Sequence, residues 1–312
     1  MSIRRHIREI SVAITYGLLL LLLWEKNPNF FHRHQFRLTW ISSAPYIVAA
    51  VGMTLVILAR HIDISIGAQF SISAVTAGLL AKAGWPMSLV VVSTIGVGCI
   101  MGSINGMLVA FLKLPSIVVT LATMEILQDS LKLARSGAPV NGLPPTFQWF
   151  GLSQLNGQWV VLGSALTILA IFAVGMRLLP AGRSVLAVGS DEEAARLAGI
   201  RPARVVFFVF VLMGALTAAA ALLQEVRMPR IDPKDGMQKE LEVIAAVVVG
   251  GTAISGGRGT MIGSLLGVAL LTTISPALIF LTKQSYWDKA IQGAIILLAV
   301  ASDSLGHRRR SG

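Results

Sequence analysis

Charge and cysteine are scarce in this sequence. Only 13% of its 312 residues are Asp, Glu, Lys or Arg, where a soluble globular domain carries about 25%. Its one cysteine, Cys99, lies inside an apolar run. It cannot close an internal disulfide, and a thiolate metal cluster is excluded on number. The pattern G-x-x-x-x-G-K-[ST] occurs nowhere, so the chain has no phosphate loop of that kind. No Ser/His/Asp arrangement, low-complexity segment or internal repeat stands out. His32 and His34 flank Arg33, too few ligands for a metal site. The longest polar connections, near 135–158, 179–203 and 223–240, are too short for a soluble domain.

What is present is apolar length. Hydrophobic residues make up 54% of the chain, and mean hydropathy is +0.74. Ten apolar stretches can be drawn, at 10–24, 41–59, 64–81, 87–111, 116–134, 159–178, 204–222, 241–255, 261–281 and 289–304. Most approach the ~20 residues that cross about 30 Å of hydrocarbon. Backbone groups in lipid must bond internally, so such segments are expected to be helices. The expectation is an all-α, polytopic membrane protein of about ten transmembrane helices, one membrane domain over 1–312. ARHID alone parts the second stretch from the third, and GGRGT the eighth from the ninth. Both breaks are short enough to lie partly within the membrane.

MSIRRHIREISVAITYGLLLLLLW has the basic start and apolar run of a signal peptide, but EKNPNF offers no small-residue cleavage site. It reads as a retained first span. An even number of spans puts both termini on one side. The basic tails MSIRRHIRE and GHRRRSG place that side in the cytoplasm, and segment 177–204 with it. The net charge of +11 is explained by basic residues flanking spans, and no nucleic-acid partner is expected.

One polar segment is built as a helix. In GSDEEAARLAGI (189–200), Ser190 and Glu193 have capping-box spacing. Asp191, Glu192 and Glu193 put negative charge at the positive end of the dipole. Ala194, Ala195, Leu197 and Ala198 favour helix, Gly199 stops it, and Pro202 delays the next. The expectation is a two-turn cytoplasmic helix over about 190–199. Ala194, Ala195 and Ala198 allow another surface close approach. On these residues alone, an ordinary interfacial loop helix fits as well.

The segment GSDEEAARLAGIRPARV resembles the coupling-helix region of permease subunits of bacterial ABC sugar importers, the ribose, rhamnose and autoinducer-2 type within the branched-chain permease superfamily. That pattern is a Gly, a polar pair, then A-A-R-x-x-G-I. LVILARHIDISIGA resembles the family's L-V-I-L-x-x-x-I-D-L-S-V-G, with Ile64 and Ile66 in place of Leu and Val. GSINGMLVAFLKLPSIVVTLATM and ELEVIAAVVVGGTAISGGRGTMIGSLLG resemble two further family motifs, in the family's order. The match runs from about 52 to 303. QDSLKLA, around Asp129, departs from it where a Gly-rich turn is usual. SYWDKAIQGAIILLAV resembles the rhamnose and autoinducer-2 permeases, but assigns no cargo.

The resemblance implies a bacterial inner-membrane permease subunit, not an enzyme, that forms the pathway for a sugar or sugar-like solute. Its implied partners are a second permease copy or paralogue, a cytoplasmic ABC ATPase and an extracytoplasmic solute-binding protein. ATP and Mg belong to the ATPase, and no cofactor is expected here. Gly189, Asp191, Glu192, Ala194, Ala195, Arg196, Leu197, Gly199 and Ile200 would contact the ATPase.

Other marked residues keep two readings. Asp63, with Ser65, caps the following helix or lines a pathway at a broken helix. Asn105, Ser116 and Thr120 offer hydrogen bonds to a sugar, and Glu242 begins a span. Gly67, Gly102, Gly106, Gly250, Gly251, Gly256 and Gly257 break helices or allow close packing. Tyr286 and Trp287 fit an interfacial belt. A branched-chain amino acid permease and an ion-driven secondary carrier remain the alternatives. The carrier would leave the capped polar helix unexplained.

Overall fold

The computed structural model describes residues 3–282 and, beyond them, 290, 291, 293, 294 and 297. The tenth apolar stretch and the Tyr286–Trp287 pair therefore fall largely or wholly outside the described residues.

Within these bounds the chain is all-helical. The helices are α1 (Ile3–Lys26), α2 (Arg33–Leu58), α3 (Ile66–Lys82), α4 (Met87–Ala110), α5 (Ser116–Arg135), α6 (Gln154–Leu178), α7 (Pro180–Ser190), α8 (Glu192–Leu197), α9 (Pro202–Glu225), α10 (Lys239–Val249) and α11 (Met261–Thr282). Five segments are long and apolar enough to cross a membrane: His34–Leu58, Met87–Ala110, Gln154–Leu178, Pro202–Glu225 and Met261–Leu281. The remaining helices fall short of that standard. α5 carries Glu125, Asp129, Lys132 and Arg135, and α10 has only 11 residues.

α2 and α9 form the centre, and buried Met53, Ile57, Phe210 and Met213 fill it. α4 lies against α9 through glycine. A Cβ on Gly98 would strike the Gly214 carbonyl, and one on Gly214 the Gly98 carbonyl. Gly102 meets the Phe210 carbonyl in the same way, and Gly106 approaches that of Phe207. Removing side chains lets two helix backbones touch, the contact small residues give in membrane bundles.

Two expectations are corrected. The apolar stretch 241–255 is not one helix: α10 ends at Val249, and Gly250 to Thr260 forms a connection. Gly251, Gly256 and Gly257 there have φ of +96°, +81° and +68°, which a residue with a Cβ rarely adopts. The polar segment 179–203 holds two helices rather than one. Pro180 supplies a fixed φ at the first helical position and starts α7.

Candidate functional site

Three regions gather the marked residues. The first is the break between α2 and α3. Arg60, at φ +69°, ends α2, and the chain runs without regular structure to Ser65. Its backbone is satisfied from α5: Ile62 N–H donates to Ser116 Oγ at 3.3 Å and Ile64 N–H to Thr120 Oγ1 at 3.1 Å. Asp63 is fully buried. Its Oδ1 accepts from Ser65 N–H at 2.9 Å and from the Ser65 hydroxyl, and Gln69 Nε2 reaches Oδ2 at 3.3 Å. From α4, Asn105 Nδ2 donates to Ser65 Oγ at 2.8 Å. Asp63, Ser65, Asn105, Ser116 and Thr120 thus form one buried network joining α3, α4 and α5 to the break. Gly67, just beyond it, sits against the Gly236 carbonyl and the Glu240 carboxylate.

The second region is the α7–α8 corner. The helix cap is Asp191, not Ser190: Asp191 Oδ1 accepts from Ala194 N–H at 3.0 Å. Ser190 ends α7, and its hydroxyl turns back to the Leu186 carbonyl at 2.8 Å. Glu193 pairs with Arg196 at 2.6 Å, so the expected capping box does not form. The box would need the Ser190 N–H for Glu193, but Ser190 is the last residue of α7, and with the cap at Asp191 the third helical position falls to Ala194, which has no carboxylate. Gly199, at φ +83°, closes α8, and Ile200 N–H returns to the Ala195 carbonyl at 3.1 Å.

Exposure divides this helix. Glu192, Glu193, Ala194, Arg196 and Ala198 face outward, and Leu197 is 81% exposed. Ala195 does not present itself to a partner: it is buried in the chain's own core. The base of the corner is tightly seated. Gly189 lies on the Leu58 carbonyl at the end of α2, and Gly256 and Gly257 lie against Gly189 and Ser190.

The third region holds Glu242 and was not assembled by sequence reading. A cavity of about 270 Å³ lies between α2, α10 and α11, with Ser42, Tyr46, Glu242, Thr272, Ser275 and Pro276 on its wall. Glu242 therefore lines a cavity that none of the other five residues marked for a pathway lines. Arg227 Nη2 donates to Ser42 Oγ at 3.0 Å, and Lys239 Nζ to Tyr46 Oη at 3.2 Å. Ser43 and Thr272 hydroxyls meet at 2.8 Å. Lys239 also stands over the Tyr46 and Phe70 rings at 4.8 and 4.9 Å. Two prolines inside helices, Pro45 and Pro276, were the available signal. Each removes one helical hydrogen bond. The Ile41 carbonyl, left without its Pro45 donor, takes Arg227 Nη1 at 3.0 Å instead. Gly250, at the far end of α10, meets the Gly263 carbonyl of α11.

Among the described residues, no group of three or more His, Cys, Asp or Glu could hold a metal ion.

Comparison with known proteins places this geometry. The family described as branched-chain amino acid transport system / permease component matches residues 38–300. The chain belongs to this permease family. It is 31% identical over 296 residues to the autoinducer 2 import system permease protein LsrC of Escherichia coli O9:H4 (strain HS), covering 95% of this chain and 86% of that protein. To the permease of the same description from Yersinia enterocolitica serotype O:8 / biotype 1B it is 32% identical over 302 residues, with 95% and 82% covered. No solved structure matches it. The permease match covers all three regions.

Proposed function

We propose that this chain is the membrane-spanning subunit of an ATP-driven importer for a sugar or sugar-like solute. The observation that carries the proposal is the match to autoinducer 2 import permeases over 95% of the chain. In this reading both termini face the cytoplasm, and the chain sits in a bacterial inner membrane. α8 is the docking element for a cytoplasmic ATPase, with Leu197 and Arg196 on the contact face. ATP and Mg act on that partner. A solute-binding protein delivers cargo from outside, and a second permease, copy or paralogue, completes the pathway.

The corner's construction supports this role. Leu197 is a large apolar side chain almost wholly in water, ringed by charges, as a small protein contact requires. Gly189 seats the same corner on α2, so a displacement of α8 would reach a core helix directly.

The family's description favours a second cargo, branched-chain amino acids. Tagged protein extracted from native membranes in mild detergent tests the assignment. An ABC ATPase is expected in the eluate, with uptake of autoinducer 2, ribose or rhamnose depending on ATP. Leucine uptake instead would move the chain to the amino acid branch. Solute movement by the purified chain alone on an ion gradient would overturn the importer.

A further inference from the structure

α5 has two unlike sides. Ser116, Val119 and Thr120 are buried against the bundle, and the two hydroxyls satisfy the backbone of the α2–α3 break. That side is a brace and is closed to solvent: Asp63, Ser65 and Asn105 in the same network are 1% exposed or less. The opposite side is open. Val118, Leu121, Glu125, Asp129 and Lys132 are exposed, and Gln128 is half-buried. At 3.6 residues per turn, or about 100° each, these six positions share one face, turned roughly half-way round from Thr120. The first half of that face, Val118 and Leu121, is apolar. The second half carries one amide and three charges.

Lipid does not suit this second half. α4 and α5 are joined by 111–115, and Leu114 N–H reaches the Leu108 carbonyl at 3.3 Å, so the two helices leave from a common level. At about 1.5 Å per residue, Glu125 to Lys132 lie roughly 14–24 Å along α5. On α4, Ile100 and Val92 are 63% and 66% exposed, and they lie about 15 and 27 Å from the same end. The charges of α5 are therefore level with the apolar surface of a helix long enough to span. Charged side chains at that depth are costly against hydrocarbon and turn instead to a protein interior or a water-filled space. This chain does not cover them: Asp129 and Lys132 pair at 2.8 Å, yet their side chains stay 71% and 67% exposed. Glu125 stands one turn from Asp129 with the same sign, so a dry contact with another subunit would strip water from like charges. Water is the neighbour that fits. Gln128, Asp129 and Lys132 also lie in QDSLKLA, where the chain departs from the family pattern, so the stripe is particular to this chain.

We infer that the polar half of this α5 face lines the water-filled part of the solute pathway and holds a small neutral polyol there. Each hydroxyl of such a molecule both donates and accepts. Glu125 accepts from neighbouring hydroxyls, and a charge-assisted bond to a carboxylate is the strongest kind this face can make, so Glu125 is the anchor. Gln128 donates and accepts, and Lys132 donates. Two carboxylates against one ammonium leave the stripe negative, which disfavours an anionic solute. Val118 and Leu121 offer no hydrogen bond, so the solute is held beyond them. α5 starts beside the α2–α3 break, and the end of α2 carries the α7–α8 corner. The stripe therefore lies toward the face from which cargo arrives. This inference rests on the proposed importer function and deepens it.

The test uses open membrane fragments carrying the complete importer, so that reagent reaches both faces. Cys99→Ser removes the native thiol, and Gln128→Cys or, as a second site, Glu125→Cys is introduced. A small water-borne methanethiosulfonate ammonium reagent labels thiols that ionise in water. Ile100→Cys, exposed on α4 at a similar depth, gives the lipid-facing baseline. Autoinducer 2, ribose and rhamnose are the probes, and uptake of each by the unmodified importer is measured in intact cells. Both α5 cysteines are expected to react about tenfold or more faster than Ile100→Cys, and whichever probe is imported should slow them. Glu125→Ala, added to Gln128→Cys, should keep the fast labelling but raise the probe concentration for half protection about tenfold. Labelling of both α5 sites no faster than Ile100→Cys overturns the water-filled face. Fast labelling that an imported probe leaves unchanged, or half protection that Glu125→Ala does not shift, overturns the polyol contact. If the unmodified importer takes up none of the three probes, the sugar reading itself falls and the polyol site with it. That outcome is distinct from uptake without labelling or protection, which removes the α5 site alone.

Discussion

Gly189 of α7 rests directly on the carbonyl of Leu58, the last residue of α2, leaving no room for a Cβ. The same carbonyl accepts Gly257 N–H at 3.0 Å. One oxygen thus ties the corner below α8, the end of a core helix and the connection leading into α11. Adding a methyl here forces backbone apart, and overpacking of this kind costs about 1–3 kcal/mol. Gly189→Ala should lower the melting temperature in detergent and reduce ATP-driven uptake more than an exposed change such as Ala198→Ser. Full uptake and an unchanged melt would show that the corner yields freely.

The two sides of α8 should respond differently. Leu197→Asp removes the exposed apolar contact without touching the core, so the protein should melt normally yet fail to retain the ATPase on purification. Ala195→Trp forces a large ring into packed space, so it should be unstable before coupling can be assessed. Retention of the ATPase by Leu197→Asp would place docking elsewhere.

Asp63→Ala strips the acceptor from Ser65 N–H and the Ser65 hydroxyl in a site with no water access. The expected loss is at least about 2 kcal/mol, read as a fall in melting temperature and faster proteolysis near the α2–α3 break. Asp63→Asn keeps one acceptor oxygen but sets an amide against Gln69 Nε2, so it should recover only part of that loss. A fully stable Asp63→Ala would show that the network is not a brace.

Arg227 and Pro45 should be coupled. Arg227 stands in for the helical donor that Pro45 lacks. Arg227→Ala alone should cost about 1.5–3 kcal/mol, the range for a charged hydrogen bond. Pro45→Ala returns an N–H to the Ile41 carbonyl, so in that background Arg227→Ala should cost less. A double-mutant cycle on thermal stability reads the difference, and strict additivity would break the link.

Local patterns were legible in the sequence and long-range ones were not. Nine apolar stretches each contain most of a described helix, because lipid-like length leaves few alternatives. α7 was hidden in a polar connection, since PAGRSVLAVGS has neither a span's length nor a clean apolar face at its ends. Asp63 was marked as a helix cap or a pathway residue and Ser116 for a solute; nothing in the order of residues says that α5 hydroxyls satisfy the backbone of the α2–α3 break. Gly102 and Gly106 announced close packing, yet their partner across α9 includes the solitary Gly214, which carries no spacing signal. The cavity was the least visible part. Ser42, Tyr46, Thr272 and Ser275 are scattered through apolar runs, and only the fold brings α2, α10 and α11 together around them.

The mutual contact of Gly98 and Gly214 has a mechanical consequence. Where two backbones touch on both sides, neither helix can roll or slide without colliding with the other's carbonyls. α4 and α9 therefore travel as a single strut. An importer must open first to one side and then to the other, and that travel has to be found in the elements held by side chains and connections instead. α10 is not among these: Gly250 and Gly263 touch in the same mutual way and Gly267 meets the Ala246 carbonyl, so α10 travels with α11. The movement of the molecule therefore falls between two locked pairs, α4 with α9 and α10 with α11, and not within either.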